Sequence, residues 1–204
     1  MKLLAISLII RKFYKFKFLF YFLLFFSFST HSNSNCDFIT GQYISELSNP
    51  SFIESIDVLP KKKEKFQMNL VGAYLENTYF ILDKYKKNFK ANILVKYKFG
   101  NCNFPARIRL HGDLKDHIPM VKGKIFSSIK VELKEGNILN ATSFKLLYPK
   151  TRNGLNEILG TLILKELEFI VPETFAVQTI INDNKNEMIF QANPRNEMLE
   201  RNKR

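Results

Sequence analysis

Histidine is scarce in this sequence, and the loops that bind phosphates in common nucleotide-binding folds are missing. The histidines are His31, His111 and His117, so a serine or cysteine triad would have few bases available. The chain contains no Gly-x-Gly-x-x-Gly loop, no Walker loop, no Gly-x-Ser-x-Gly elbow and no Cys-x-x-Cys pair. Local motifs therefore give no support to these enzyme classes, and we assign no catalytic residue and no metal site.

Acidic residues are missing from the first 35 residues, which have the order of an export signal. Basic residues between Lys2 and Lys17 precede an uncharged run from Phe18 to Phe28, and the polar stretch STHSNSN follows. This order is typical of a secretory signal, and the apolar run is shorter than the roughly 20 residues of a spanning helix. We expect residues 1–34 to be a signal peptide, with a membrane anchor as the alternative. The protein is then periplasmic or extracellular, or anchored to the inner membrane, and touches the membrane during export.

The chain has only two cysteines, Cys36 and Cys102. Outside the cytoplasm such a pair tends to be joined. The sequence FGNCNFP around Cys102 offers no cation or histidine to lower the pKa of a catalytic thiol. We therefore predict a disulfide that ties the start of the exported chain to a turn between two strands.

Negative charge is in short supply, and the formal net charge is +12. Such a balance is typical of proteins that meet anionic surfaces. The lysines are scattered, however, and export would separate the chain from most nucleic acid. We expect no nucleic-acid partner, and binding to other anionic surfaces remains open.

Alternating apolar residues after Lys65 predict antiparallel strands with one buried face. The predicted strands are FQMNLVGAYL, TYFILD, FKANILVKYKFG, FPARIRLHG, FSSIKVELKEGNIL and TSFKLLYP, and TFAVQTIINDNKNEMIFQ predicts a hairpin around Asn182–Asn186. Residues 35–64 have no clear period and are expected to be irregular.

One segment has a helical period instead. In NGLNEILGTLILKELEF, apolar residues from Leu155 to Ile163 recur on one side, Asn153 is a candidate N-cap, and Pro172 follows the element. A second helical start, PRNEMLERNKR, ends the chain. The predicted fold class is α+β, an antiparallel β-rich layer with one main helix packed on it.

The turn HGDLKDH contains metal-capable side chains, among them His111, Asp113 and His117. Two histidines and a carboxylate could hold a divalent cation. The spacing matches no strong metal motif, and Gly112 with Asp113 is also typical of a simple polar turn. A structural turn, a phosphate-facing turn and a metal site all remain open.

Three segments of the chain together match a known family pattern: Arg109, Gly112 and Asp113 in a first turn, Ser128, Lys130 and Val131 in a second motif, and LKELEFIVPETFAVQTIIND in a helix and hairpin. Through these segments, residues from about 90 to 200 resemble the N-terminal half of the spore-coat-protein-H (CotH) kinase-like family. The sequence departs from the family at His111, at Asn184–Asn186 and at Gln191.

The resemblance implies a domain over residues 65–204 similar to the β-rich N-lobe of an atypical protein kinase, with the catalytic aspartates beyond Arg204. It implies cofactor-binding roles for Lys130, with Glu157 or Glu166 as its ion-pair partner, and for Asp113. ATP and Mg²⁺ are implied if the resemblance is functional, and none is expected for the N-lobe alone.

Three functional hypotheses follow. The leading one is an exported CotH-like fragment, pseudo-enzyme or binding module that is inactive alone. The second is an envelope-facing kinase completed by a longer frame, a C-lobe chain or another envelope protein. The third is a periplasmic β-module that binds anionic glycans.

Overall fold

A closed barrel of seven strands dominates the part of the chain that the computed structural model describes, residues 36–195 and 198–199. The strands are β1 Ile53–Pro60, β2 Phe89–Tyr97, β3 Gly100–Leu110, β4 Met120–Val121, β5 Lys124–Ile125, β6 Ile129–Leu133, β7 Ser143–Leu147, β8 Thr174–Ile181 and β9 Asn184–Ala192. Around the barrel they follow the order β1-β2-β3-β6-β7-β9-β8, and β4 and β5 form a separate ribbon. Neighbouring strands are antiparallel except β1 and β8, which pair in parallel and close the barrel.

The described helices are few. They are α1 Ile44–Leu47, α2 Lys63–Leu75 and α3 Asn156–Glu166, with single 3-10 turns at Thr40–Gln42, Pro50–Phe52, Asp83–Tyr85, Lys115–His117 and Pro149–Arg152. Within the described residues, none of the helices has the length and apolar character needed to cross a membrane.

Strand alternation fills the barrel interior. On β2 the side chains of Ala91, Ile93 and Val95 are buried, whereas the residues between them are only half-buried. β3 continues the alternation to Ile108 and Leu110, which are both fully buried. Since successive side chains point to opposite faces of a strand, the core lies inside the barrel and polar residues of the same strands face outward.

The predicted fold class is wrong, because the strands close into a barrel and form no open layer with a main helix on it. The missing element is β1, which lies in the segment expected to be irregular and pairs Ser55–Val58 with Gln178–Ile181 of β8. Its Asp57 is buried and forms an ion pair with Lys96 of β2 at 2.8 Å. Because Asp57 interrupts the apolar run IDVL, the hydrophobic pattern did not predict a strand here.

The segment FQMNLVGAYL was predicted to be a strand and is the helix α2. Its buried residues are Phe66, Asn69, Leu70 and Ala73, which follow the helical spacing of three, four and seven. The buried Asn69 amide donates to the backbone oxygen of Tyr85 at 2.8 Å. TYFILD is no strand either: it contributes one bridge from Phe80 to Leu114 and then a 3-10 turn.

The sequence correctly predicted that a β-hairpin follows Pro172 and that a helix forms near residue 160. β8 and β9 are joined by Asn182 and Asp183, which both have positive φ angles, 50° and 64°. Asn and Asp are favoured in such two-residue hairpin turns because their side chains tolerate that conformation. Asn153 is not the cap of α3; it lies in the left-handed region after the preceding 3-10 turn.

The predicted disulfide between Cys36 and Cys102 is present. Next to it, the Asp37 carboxylate accepts from the Asn101 backbone nitrogen at 2.7 Å, and the Phe38 ring meets the Phe99 ring edge-on at 5.0 Å. These contacts hold the segment after Cys36 over the β2–β3 turn. The predicted signal at residues 1–34 lies outside the described residues, as does most of the final helical start.

Candidate anion-binding site

A row of three cations crosses the outer face of the barrel. Arg109 of β3 lies opposite Lys130 of β6, and Lys130 lies opposite Lys145 of β7. Gln191 of β9 continues the row beyond Lys145. Side chains directly opposite each other on neighbouring strands are about 5 Å apart at Cβ, so the positive charges of this cationic row, Arg109, Lys130 and Lys145, are close together.

Lys130 is the member of the row with a carboxylate partner. Its ammonium is 2.8 Å from Glu132 Oε1, and Arg195 approaches the same carboxylate at 3.6 Å. The hydrogen bond from Lys130 lowers the pKa of Glu132. Glu132 therefore pairs with Lys130 and Arg195 and also feels the charge of Arg109, whereas neither Arg109 nor Lys145 has an ion pair among the described residues.

Lys145 has no ion pair within the described part of the chain. Burial lowers its pKa, and the charge of Arg152 acts in the same direction, whereas Glu157 opposes it. Glu157 is itself engaged, because its carboxylate accepts from the Gln191 amide at 2.5 Å and lies 3.8 Å from Arg152 Nε. Positive charge thus exceeds negative charge around Lys145.

Arg152 adds a fourth cation at the end of its 3-10 turn. Its Nε atom is buried and has no hydrogen-bond partner among the described residues. The 3.8 Å separation from Glu157 is an ion-pair distance and too long for a hydrogen bond. A buried guanidinium N–H without an acceptor is costly, and an anion at this place would satisfy it.

Two histidines lie near the row: His111 directly follows β3, and His117 ends the Lys115–His117 3-10 turn. The His111 and His117 rings meet edge-on at 5.7 Å. The Ser128 hydroxyl accepts from the Tyr148 backbone nitrogen at 2.9 Å and lies 3.1 Å from His117 Nδ1. The serine hydroxyl can donate to His117 Nδ1 or accept from it, according to the tautomer of the ring.

His111 is held neutral by its surroundings. Burial lowers its pKa to about 4, and the charges of Lys145, of His117 when it is protonated, and of Arg152 and Arg109 act in the same direction. Burial also lowers the pKa of His117. At neutral pH both rings are therefore uncharged donors and acceptors beside a cluster of fixed cations.

Gly112 allows the two rings to meet. Its φ is +101°, and a Cβ at this position would overlap the His117 ring. A side chain would therefore require both a strained backbone and a displaced histidine.

The predicted cofactor-binding residues are brought only partly together. Lys130 belongs to the cationic row, but its ion pair is with Glu132 and not with Glu157 or Glu166. Glu157 lies beside Lys145, at the other side of the row. Asp113 is an exposed turn residue whose carboxylate is 2.6 Å from Lys86 Nζ.

Lys145 and Arg152 were missed by the sequence analysis. The available signal was the lysine in SFKLL, a charged residue in the middle of a strand whose other residues are buried. As for a metal, no group of three or more His, Cys, Asp or Glu side chains suited to hold one occurs among the described residues.

Comparison with known proteins gives no family for this chain. No protein-family model matches it, and no curated protein matches it. The resemblance to the CotH-like family stays a prediction.

Proposed function

We propose that this protein is an exported binding protein whose cationic row and Arg152 hold a phosphate-bearing ligand. The observation that carries the proposal is the alignment of Arg109, Lys130 and Lys145 on three adjacent strands, where only Lys130 has an ion pair among the described residues. Like charges directly opposite each other destabilise a sheet. Binding of an anion would offset this cost.

Phosphate suits the donors around Lys145. Guanidinium and ammonium groups make their strongest hydrogen bonds to ionised oxygens. The Nε–H group of Arg152 is buried and has no hydrogen-bond acceptor among the described residues. A tetrahedral phosphate can accept from several such donors at once. His111, which is neutral, adds no charge of its own and can donate to a further oxygen.

Export is supported by the Cys36–Cys102 bond, since structural disulfides persist in oxidising compartments. The basic and apolar order of residues 1–34 agrees with the same location. Together they favour a ligand found outside the cytoplasm.

A nucleotide with phosphoryl transfer is the second candidate, and the nearness of strand Lys145 to helix Glu157 favours it. Protein kinases hold the ATP phosphates through a strand lysine paired with a helix glutamate. The residues present fit the phosphate part of such a ligand. They do not fit its Mg²⁺, because Asp113, Glu132 and Glu157 are each engaged with other cations.

Calorimetric titration of the full chain tests the proposal. The probes are inorganic phosphate, pyrophosphate, ATP without and with Mg²⁺, and a phosphate-free anionic polysaccharide. Lys145→Gln should weaken phosphate or pyrophosphate binding at least about tenfold, since one charge-assisted hydrogen bond is worth about 1.5–3 kcal/mol. The control is Lys134→Gln, which removes an exposed lysine outside the row and should leave affinity unchanged.

The outcomes separate the candidates. Saturable binding of pyrophosphate that depends on Lys145 supports the proposal. Binding of ATP but of neither phosphate nor pyrophosphate, together with Mg²⁺-dependent transfer of the γ-phosphoryl group of ATP to protein, would favour the second candidate. Binding of the polysaccharide without phosphate binding, or equal loss in both lysine variants, would contradict a phosphate site.

A further inference from the structure

The helix α3 is oriented with its polar side toward the barrel. Glu157 accepts from Gln191 of β9, and Thr161 and Ile158 are half-buried beside it. No residue of α3 is fully buried. The sequence predicted the opposite, an apolar side packed on the strands, and that prediction is wrong.

The apolar side of α3 faces away from the barrel. Seven large apolar side chains in and around the helix are between 44% and 62% exposed: Leu155, Leu159, Leu162, Ile163, Leu164, Leu167 and Phe169. Four of them, Leu155, Leu159, Leu162 and Ile163, recur at helical spacing and form the apolar stripe.

The area is larger than a monomer usually exposes. Seven side chains at this exposure present an apolar surface on the order of several hundred Å², and contiguous patches of that size mark interaction sites. A standard stable interface buries about 800 Å² per partner. The apolar side chains would supply part of that area, and the polar residues that flank them would have to supply the rest.

We propose that the apolar stripe is the interface of a homodimer in which α3 of a second copy lies antiparallel to it. A second copy presents the same apolar stripe, so Leu and Ile side chains can cover each other, and Glu166, four residues after Leu162, borders the stripe at the end of the helix.

Charge favours the antiparallel direction. Glu166 is the last residue of α3 and Glu168 follows its C-cap, so two carboxylates and the single cation Lys165 lie at the negative end of the helix dipole. Neither carboxylate has an ion pair in the part of the chain described. An antiparallel partner brings the positive N-terminal end of its helix to these carboxylates. A parallel pair would bring like ends and like charges together.

The oligomeric state of the full chain, with its disulfide intact, tests the interface by sedimentation over about a hundredfold range of concentration. Wild type should have twice the chain mass, and Leu162→Glu should weaken association at least tenfold. The control is Met68→Glu on α2, because Met68 is as exposed, at 65%, and lies off the stripe. If Leu162→Glu fails to fold by circular dichroism, Leu159→Lys replaces it.

Direction is tested by mixing two cysteine variants, Leu155→Cys and Leu167→Cys. An antiparallel pair should form the mixed disulfide, and each variant alone should form little. A wild-type monomer at every concentration, a dimer unchanged by both charge variants, or cross-linking of Leu155→Cys with itself would each overturn the proposal.

Discussion

Lys145 lies directly opposite Lys130 across β6 and β7, and of the two only Lys130 has a carboxylate within ion-pair distance in the described part of the chain. The pKa of Lys145 is lowered by burial and by Arg152. The protein thus keeps an uncompensated, half-buried ammonium on a face where Arg109 and Lys130 already stand in line. This arrangement costs stability in the free protein and is useful when an anion binds.

Removal of the Lys145 charge should stabilise the free protein while it weakens binding. Lys145→Met keeps the aliphatic stem and removes the like-charge contact with Lys130, which is worth about 0.2–1 kcal/mol for opposed strand residues. Denaturant unfolding without phosphate should show this gain. Lys134→Met, an exposed site outside the row, is the matched control and should show neither effect. A loss of stability in Lys145→Met would mean that its ammonium has a stabilising partner.

Stability should fall as the pH is lowered through the histidine range. The pKa of His111 is about 4 in the folded chain and 6.5 without perturbation, and the pKa of His117 is lowered too. The unfolded chain therefore binds more protons between these values, and the folded state loses stability from about pH 6.5 down to about pH 4.

His111→Asn should flatten this pH dependence, because the replaced ring no longer has to be protonated on unfolding. The measurement is the free energy of unfolding by denaturant across the same pH window. Lys134→Gln, which changes an exposed residue and no histidine, is the control and should keep the wild-type slope. An unchanged slope in His111→Asn would assign the effect to other groups.

Loss of the disulfide should destabilise the barrel. The bond joins residues 66 positions apart, and in the loop-entropy model a ring of this size contributes about 4 kcal/mol. Cys36→Ser with Cys102→Ser should lower the free energy of unfolding by an amount of that order. Wild type in reductant should unfold like the double variant, and equal stability of oxidised and reduced wild type would contradict the prediction.

Gly112→Ala should be one of the more harmful glycine changes. Its φ of +101° and the overlap with His117 predict a loss of about 1–3 kcal/mol, and the pair of histidine rings should separate. Gly160→Ala is the comparison, because that position is helical and open and alanine should stabilise it by about 0.5–1 kcal/mol. Thermal unfolding of both variants is the measurement, and equal effects would show that the turn tolerates a side chain.

The hydrophobic period and the turn residues correctly predicted strands at β2, β3, β6 and β7, the β8–β9 hairpin, a helix near residue 160 and the disulfide, whereas the β4–β5 ribbon was not predicted. They failed where a local pattern is ambiguous. FQMNLVGAYL is apolar enough for a strand or a helix, and α2 is decided by its packing on the barrel. β1 contains the buried Asp57, whose partner Lys96 is distant in sequence.

The candidate site was predicted only in part for a related reason. Lys130 was identified through a motif, whereas its neighbours in the row depend on strand register, which a single sequence does not fix. Register places Lys145 opposite Lys130, and chain reversal after β7 brings Arg152 and Glu157 to the same face. The outward apolar side of α3 could not be foreseen, because amphipathic period does not tell which side meets the core.

The most direct test of the phosphate site is the NMR titration of His111 without and with pyrophosphate. Fixed cations hold its pKa low beyond the effect of burial, so an anion bound among them should raise that pKa from about 4 toward its ordinary value. Lys145→Gln should abolish most of the pyrophosphate-dependent rise. An unchanged His111 pKa at saturating pyrophosphate, or a rise that is equal in wild type and Lys145→Gln, would contradict a phosphate site at the cationic row.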